Sequence, residues 1–218
     1  MGTTRGFDRL VFFTDAVTAI ALTVLILPLV DLVVSAADSR VSATQFLGQH
    51  FEELIAFLIS FAVIARLWLA HHSVFEHIRS YSGRLVFLNM LWLLTIVVLP
   101  LPTAMTAEFP TTRFTIAFYI GTMTLSSLCL TAIAFLIRRS PDLESTDNPL
   151  TSRFMSGSIT ITSGFFVALL VGVVFPSIGY WALLVLFLSI PVDALVKHRA
   201  AVQAERRARV AGRSRGAD

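Results

Sequence analysis

The sequence predicts an all-α, polytopic membrane protein of six transmembrane helices with both termini cytoplasmic. Three observations carry this. Hydrophobic residues make up 56% of the 218, mean hydropathy is +0.78 and only 14% are charged, against roughly 25% charged in a soluble domain. Six stretches have the length and apolarity of a membrane helix, for which about 20 residues suffice. With the N-terminus inside, fifteen of the 17 lysines and arginines fall on the cytoplasmic side, leaving only Arg40 and Arg113 outside. Residues 1–196 form one six-helix transmembrane domain, and 197–218 a basic cytoplasmic tail. No room remains for a soluble domain. The single cysteine, Cys129, lies in an apolar run, so no intrachain disulfide can form.

The first span, 10–34, is the functional helix. It opens Arg9-Leu-Val-Phe-Phe13-Thr14-Asp15 and then runs apolar to Val34. An ionised carboxylate inside a membrane helix is costly, about 2.5–3.5 kcal/mol near the helix centre on insertion scales, and its retention points to use. Too long for a signal h-region, and carrying Asp15 at its start, the run reads as a retained helix. At 3.6 residues per turn, Ala16, Ile20, Thr23 and Leu27 form one stripe. Asp15 sits well off that stripe. Six residues separate it from Arg9, so the two do not face each other, and its partner must come from another segment.

The second span, 52–70, ends Trp68-Leu-Ala-His71-His72 with Glu76 and His77 beyond. Trp68 suits the interfacial belt, and Arg66 snorkels to the inner interface. His71, His72 and Glu76 invite a metal reading, but their spacing matches no zinc motif and no metal site is expected. A neutral histidine bonded to a carboxylate or hydroxyl within the bundle fits better. Span three, 85–107, places Asn89 one turn inside its cytoplasmic end, deep enough to need a partner from another helix. Pro100 and Pro102 kink or end it. Spans four and five, 114–137 and 155–175, are rich in glycine, serine and threonine, which allow close packing, and read as scaffold. A tight Pro176-Ser177 turn leads to the sixth, 178–196. Ser177-Ile-Gly179-Tyr180 is similar to part of a potassium-filter sequence, but no pore helix precedes it, so it reads as a turn. The arginine-rich tail is a solvated stop signal that sets topology, with no nucleic-acid partner expected.

Three pieces resemble the transmembrane protein 175 family, the endo-lysosomal potassium channels and their bacterial relatives. They are Arg9-x-x-x-Phe13-Thr14-Asp15, Trp68-x-x-His71-x-x-x-Phe75, and Leu88-Asn89-Met90 followed by Leu99-Pro100. The resemblance covers residues 9–103. Thr14 stands where the family usually has serine, keeping the hydroxyl and adding a methyl. What it implies is a bacterial-type six-helix channel domain assembled as a homotetramer in the cell (inner) membrane, with the first helix lining the pore. It implies an apolar constriction at Ile20, a hydroxyl ring at Thr23, an outer apolar layer at Leu27, and no carbonyl filter. It further implies that Arg9, Phe13, Thr14 and Asp15 anchor the first helix to the Trp68–His71 segment and Asn89, with His71 and Asn89 as the partners of Asp15. The permeant ion is potassium among monovalent cations, no cofactor is needed, and no enzymatic activity is expected. A small secondary transporter or proton-coupled carrier using Asp15 is the alternative, though no inverted repeat is visible.

Overall fold

The computed structural model describes residues 4–36, 41–178 and 183. The described part is all-α, in eight helices. They are α1 Thr4–Val24, α2 Leu27–Ala36, α3 Ala43–Gln49, α4 Phe51–Phe75, α5 Gly83–Val98, α6 Pro100–Glu108, α7 Arg113–Arg138 and α8 Ser152–Val174. Five stretches are long and apolar enough to cross a membrane: Arg5–Ala36, Phe51–Phe75, Gly83–Thr106, Arg113–Arg138 and Ser152–Val174. These are the first five expected spans. The sixth and the basic tail lie outside the described residues, apart from Ile178 and Leu183.

Two spans are interrupted, each beside proline. Proline has no N–H and its ring crowds the carbonyl four residues back. Pro28 therefore breaks the first span at Leu25–Ile26, where a bond from Ile26 N–H to Thr23 C=O closes a tight turn. Likewise Pro100 separates α5 from α6 at Leu99. Three of the long helices start at side-chain caps. Ser82 accepts from Leu85 N–H, Thr151 from Phe154 N–H, and Thr112 with Thr115 forms a reciprocal box. The short α3 was not foreseen, although Ser42-x-x-Gln45 carries the sequence signature of its capping box.

The centre of the bundle is α7, buried along most of its length and touching α4, α5, α6 and α8. Its small hydroxyl residues do what scaffold residues should. Ser127 and Thr131 bond the Thr162 hydroxyl at 2.8 Å each, and Thr131 bonds the Ser158 hydroxyl at 2.8 Å. These bonds let the two backbones approach while satisfying polar groups inside an apolar bundle. The first helix, by contrast, is peripheral. Its buried contacts with α4 and α5 run along Thr14, Thr18, Ala21 and, just past its end, Leu25, spaced four, three and four apart.

The 71–84 and 138–154 connections clasp each other. Ile78 and Glu144 form an antiparallel bridge, Ser145 N–H donates to His77 C=O at 2.8 Å, and Arg79 N–H donates to Leu143 C=O at 3.0 Å. The Arg79 guanidinium adds bonds to the carbonyls of Pro141 and Asp142. Both connections therefore sit at one end of the bundle, the arrangement that the charge pattern anticipated for two loops on the same side. The start of α1 lies over this clasp. Gly6 packs so closely on the Tyr81 ring that a β-carbon there would collide with its hydroxyl.

Candidate functional site

The first helix presents two faces, and each gathers a different set of the expected residues. On the bundle side, Thr14 and Asn89 are 0% exposed and His71 1%. Thr14 Oγ1 lies 2.8 Å from Leu10 C=O, Asn89 Nδ2 2.8 Å from Thr14 Oγ1, and His71 Nε2 2.7 Å from Asn89 Oδ1. The proton directions follow by elimination. A carbonyl can only accept, so the Thr14 hydroxyl donates to Leu10 and accepts from the Asn89 amide. The Asn89 oxygen then faces His71, whose Nε2 must carry a proton to donate. The chain of bonds joins α1, α5 and α4 and fixes the histidine tautomer. Rings hold His71 from both sides, Phe75 at 4.0 Å and Trp92 at 4.2 Å between centroids.

Asp15 departs from expectation. Its hydrogen bond goes to neither His71 nor Asn89. The Trp68 indole N–H donates to Asp15 Oδ1 at 2.8 Å. One residue along a helix is a rotation of about 100°. Thr14 therefore points between α4 and α5, and Asp15 turns onto the flank where Trp68 stands. The hydroxyl of Thr14 takes the contacts expected of the carboxylate. Trp68, read as an interfacial residue, is thus also a hydrogen-bond donor to the first helix. Phe75 and Trp92 were not singled out for this role, yet spacing marks them: Phe75 is four residues from His71 and Trp92 three from Asn89. Thr18 was also missed. It is buried and donates to Thr14 C=O at 2.9 Å.

Arg9 and Phe13 do not join this network. Both are exposed and lie on the opposite face of α1, and Arg9 forms no ion pair among the described residues. Continuing in steps of four, three, four, three and four, Arg9, Phe13, Ala16, Ile20, Thr23 and Leu27 make a single stripe. Every member is exposed, Ile20 at 62% and Leu27 at 52%. The stripe lies across the helix from the buried one, so none of the described residues covers it. The Thr23 hydroxyl donates back to Ile20 C=O at 2.8 Å. Leu27 stands beyond the Leu25–Ile26 break, on α2, a helix with no buried residue. Of the neighbouring histidines, His72 stacks on the Trp68 ring at 5.6 Å and pairs loosely with Glu76 at 3.6 Å, and His77 Nδ1 lies 2.8 Å from Asn148 C=O.

The whole region lies inside one sequence match. The family model described as "Endosomal/lysosomal potassium channel TMEM175" matches residues 9–100. Residues 9–100 are thus similar to the TMEM175 family. The match opens on Arg9 and contains both faces of α1 together with Trp68, His71 and Asn89. Among relatives, a potassium channel of Streptomyces collinus is 40% identical over 101 residues, 46% of this chain and 48% of that one. A potassium channel of Chamaesiphon minutus is 31% identical over 116 residues, 52% and 57% of the two chains. The endosomal/lysosomal proton channel TMEM175 of Bos taurus is 39% identical over 110 residues, 47% of this chain and 22% of its own. The chain thus spans about half the length of these bacterial relatives and about a fifth of the bovine one. TMEM175 is a family of ion channels, not enzymes, and with five apolar spans among the described residues this chain is a multi-pass membrane protein.

Proposed function

We propose that this chain is the subunit of a potassium-permeable cation channel of the cell (inner) membrane, a homotetramer whose pore is lined by α1 and α2. One observation carries the reading: the exposed stripe Ile20, Thr23 and Leu27, turned away from the bundle that holds the helix. A membrane protein that presents a regular face of a polar-anchored helix to none of its described residues has a use for it. Four such faces around an axis enclose a pore. Ile20 forms the narrowest ring, Thr23 the only hydroxyl ring, and Leu27 an outer apolar layer, about 10.5 Å from Ile20 at 1.5 Å per residue. An apolar ring of this kind controls conduction by wetting and dewetting. Arg9 and Phe13 extend the stripe inward and meet neighbouring copies there. Thr14, Asp15, Trp68, His71 and Asn89 set the rotation of α1, which decides whether the stripe faces the axis.

Both termini inside, with the 71–84 and 138–154 loops cytoplasmic, complete the arrangement. The bacterial relatives are named as potassium channels and the animal ones as proton channels, so the permeant cation is itself part of the reading. The test is reconstitution into planar bilayers with potassium, sodium and pH gradients imposed in turn. Currents reversing near the potassium equilibrium potential support it. Reversal that follows pH alone makes the chain a proton channel, and saturable, tightly coupled exchange makes it the carrier with Asp15 as its ionisable site.

A further inference from the structure

The α2 helix carries one charge, Asp31, inside the apolar run Leu29–Val34. It is exposed, and its carboxylate has no ion pair among the described residues. The half-buried residues of α2 are Pro28, Leu29, Leu32 and Ala36, which mark one side of the helix. Leu27 and Asp31, four residues apart, lie together on the other side, with Val34 beside them. The face that carries Leu27 therefore continues outward into a carboxylate.

Its depth follows from the Trp68–Asp15 bond, which sets those two residues level. The first and second spans run in opposite directions, each advancing about 1.5 Å per residue. Asp31 is sixteen residues beyond Asp15, and Glu52 is sixteen before Trp68. Asp31 thus stands level with the start of α4, at the end of the bundle remote from the clasped loops. A carboxylate there, on the pore-facing side, meets water at the mouth and not lipid, the placement that ionisable residues of membrane helices favour.

We infer that Asp31 is a conductance-determining residue of the outer mouth, where the carboxylates of the assembled subunits concentrate cations ahead of the apolar constriction. The inference rests on the pore reading above. A mouth lined by one sign of charge raises the local concentration of the opposite ion, and salt screens the effect. The Debye length falls from about 30 Å at 10 mM to about 3 Å at 1 M.

The experiment is single-channel recording of Asp31→Asn beside the parent and Glu52→Gln, which sits at the same level on α4, with cation entry from the outer side. In about 10 mM potassium chloride, Asp31→Asn should lower inward unitary current by roughly two-fold or more, and in about 1 M salt the difference should vanish. Glu52→Gln should change it less. Asp31→Cys should be blocked by a positively charged, membrane-impermeant thiol reagent applied outside, the one native cysteine, Cys129, being buried. Equal currents in Asp31→Asn and parent at low salt would overturn the inference while leaving the channel intact. A reduction that persists unchanged at high salt would overturn it too, by showing a role in pore shape and not in charge. A parent that conducts no cation under any gradient defeats the pore reading first, and this one with it.

Discussion

Asn89→Leu tests the junction of three helices. The change keeps approximate volume but removes an amide that accepts from His71 Nε2 at 2.7 Å and donates to Thr14 Oγ1 at 2.8 Å. The site is 0% exposed at Asn89 and Thr14, so water does not replace the lost partners. Thr14 keeps its own donor bond to Leu10 and loses little. His71 is the stranded group, its Nε2 proton aimed at a hydrocarbon side chain, at a cost of about 1–3 kcal/mol. The pairwise share is smaller. Polar couplings between membrane helices average about 0.6 kcal/mol and reach about 1.7. A double-mutant cycle of Thr14→Val and Asn89→Leu should therefore give a coupling in that range, while Asn89→Leu alone costs about 1–3 kcal/mol. The assay is reversible unfolding in mixed detergent micelles, with Phe87→Ala as the control because Phe87 is exposed on the same helix. Additivity of the cycle within about 0.3 kcal/mol would refute the bond from Asn89 to Thr14 as a tie between α1 and α5.

Asp15→Ala strands the Trp68 indole N–H, whereas Asp15→Asn keeps an oxygen acceptor. Unfolding and tryptophan emission should shift more in the alanine variant than in the asparagine one, and the reverse order would place the carboxylate elsewhere. Arg9→Ala should leave unfolding of the subunit unchanged, since Arg9 has no ion pair among the described residues, and lower the tetramer fraction in size-exclusion chromatography with light scattering. Ile20→Asn should raise unitary conductance several-fold by wetting the constriction, and unchanged conductance in an intact tetramer would put the narrowest ring at another residue. Thr23→Ala should reduce the preference for potassium over sodium, read as a shift in bi-ionic reversal potential. Reporter fusions at Ser145 and at the C-terminus should both register inside.

Much of the fold could be read from hydropathy because a membrane helix declares itself by length and apolarity. The five described spans match the expected ones to within a few residues at most ends. The exceptions have local causes. α1 begins at Thr4, because charged residues at its start extend the helix out of the apolar run without breaking it. α4 continues through His71 and His72 to Phe75 for the same reason. The two faces of α1 were legible for a different reason: helical period is arithmetic, and Ala16, Ile20, Thr23 and Leu27 needed no knowledge of neighbours. The partner of Asp15 did need it. Whether Trp68 or His71 meets the carboxylate depends on how α4 is rotated against α1, and one residue's rotation moves the contact from Asp15 to Thr14. Arg9 and Phe13 were assigned to the anchor with the rest of their motif. Counting in threes and fours from Ile20 would have put them on the exposed stripe instead. The central position of α7 was hidden because burial among helices and burial in lipid select similar side chains.

The hydrogen bond from Thr23 to Ile20 has a consequence for the sign of the ion. A hydroxyl is ambivalent in principle, able to offer a proton to an anion or lone pairs to a cation. Here the proton is already committed to a carbonyl one turn below. In the proposed pore, what a ring of these side chains would turn toward the axis is oxygen alone. Chloride arriving at that ring would find no donor, and a cation that has shed part of its water would find acceptors, so discrimination against anions needs no charged residue at the narrow part of the pathway. It would be built from the backbone geometry of an ordinary helix, and replacing Thr23 by valine, which has the same shape but no oxygen, should weaken the preference for cations over anions more than it changes the width.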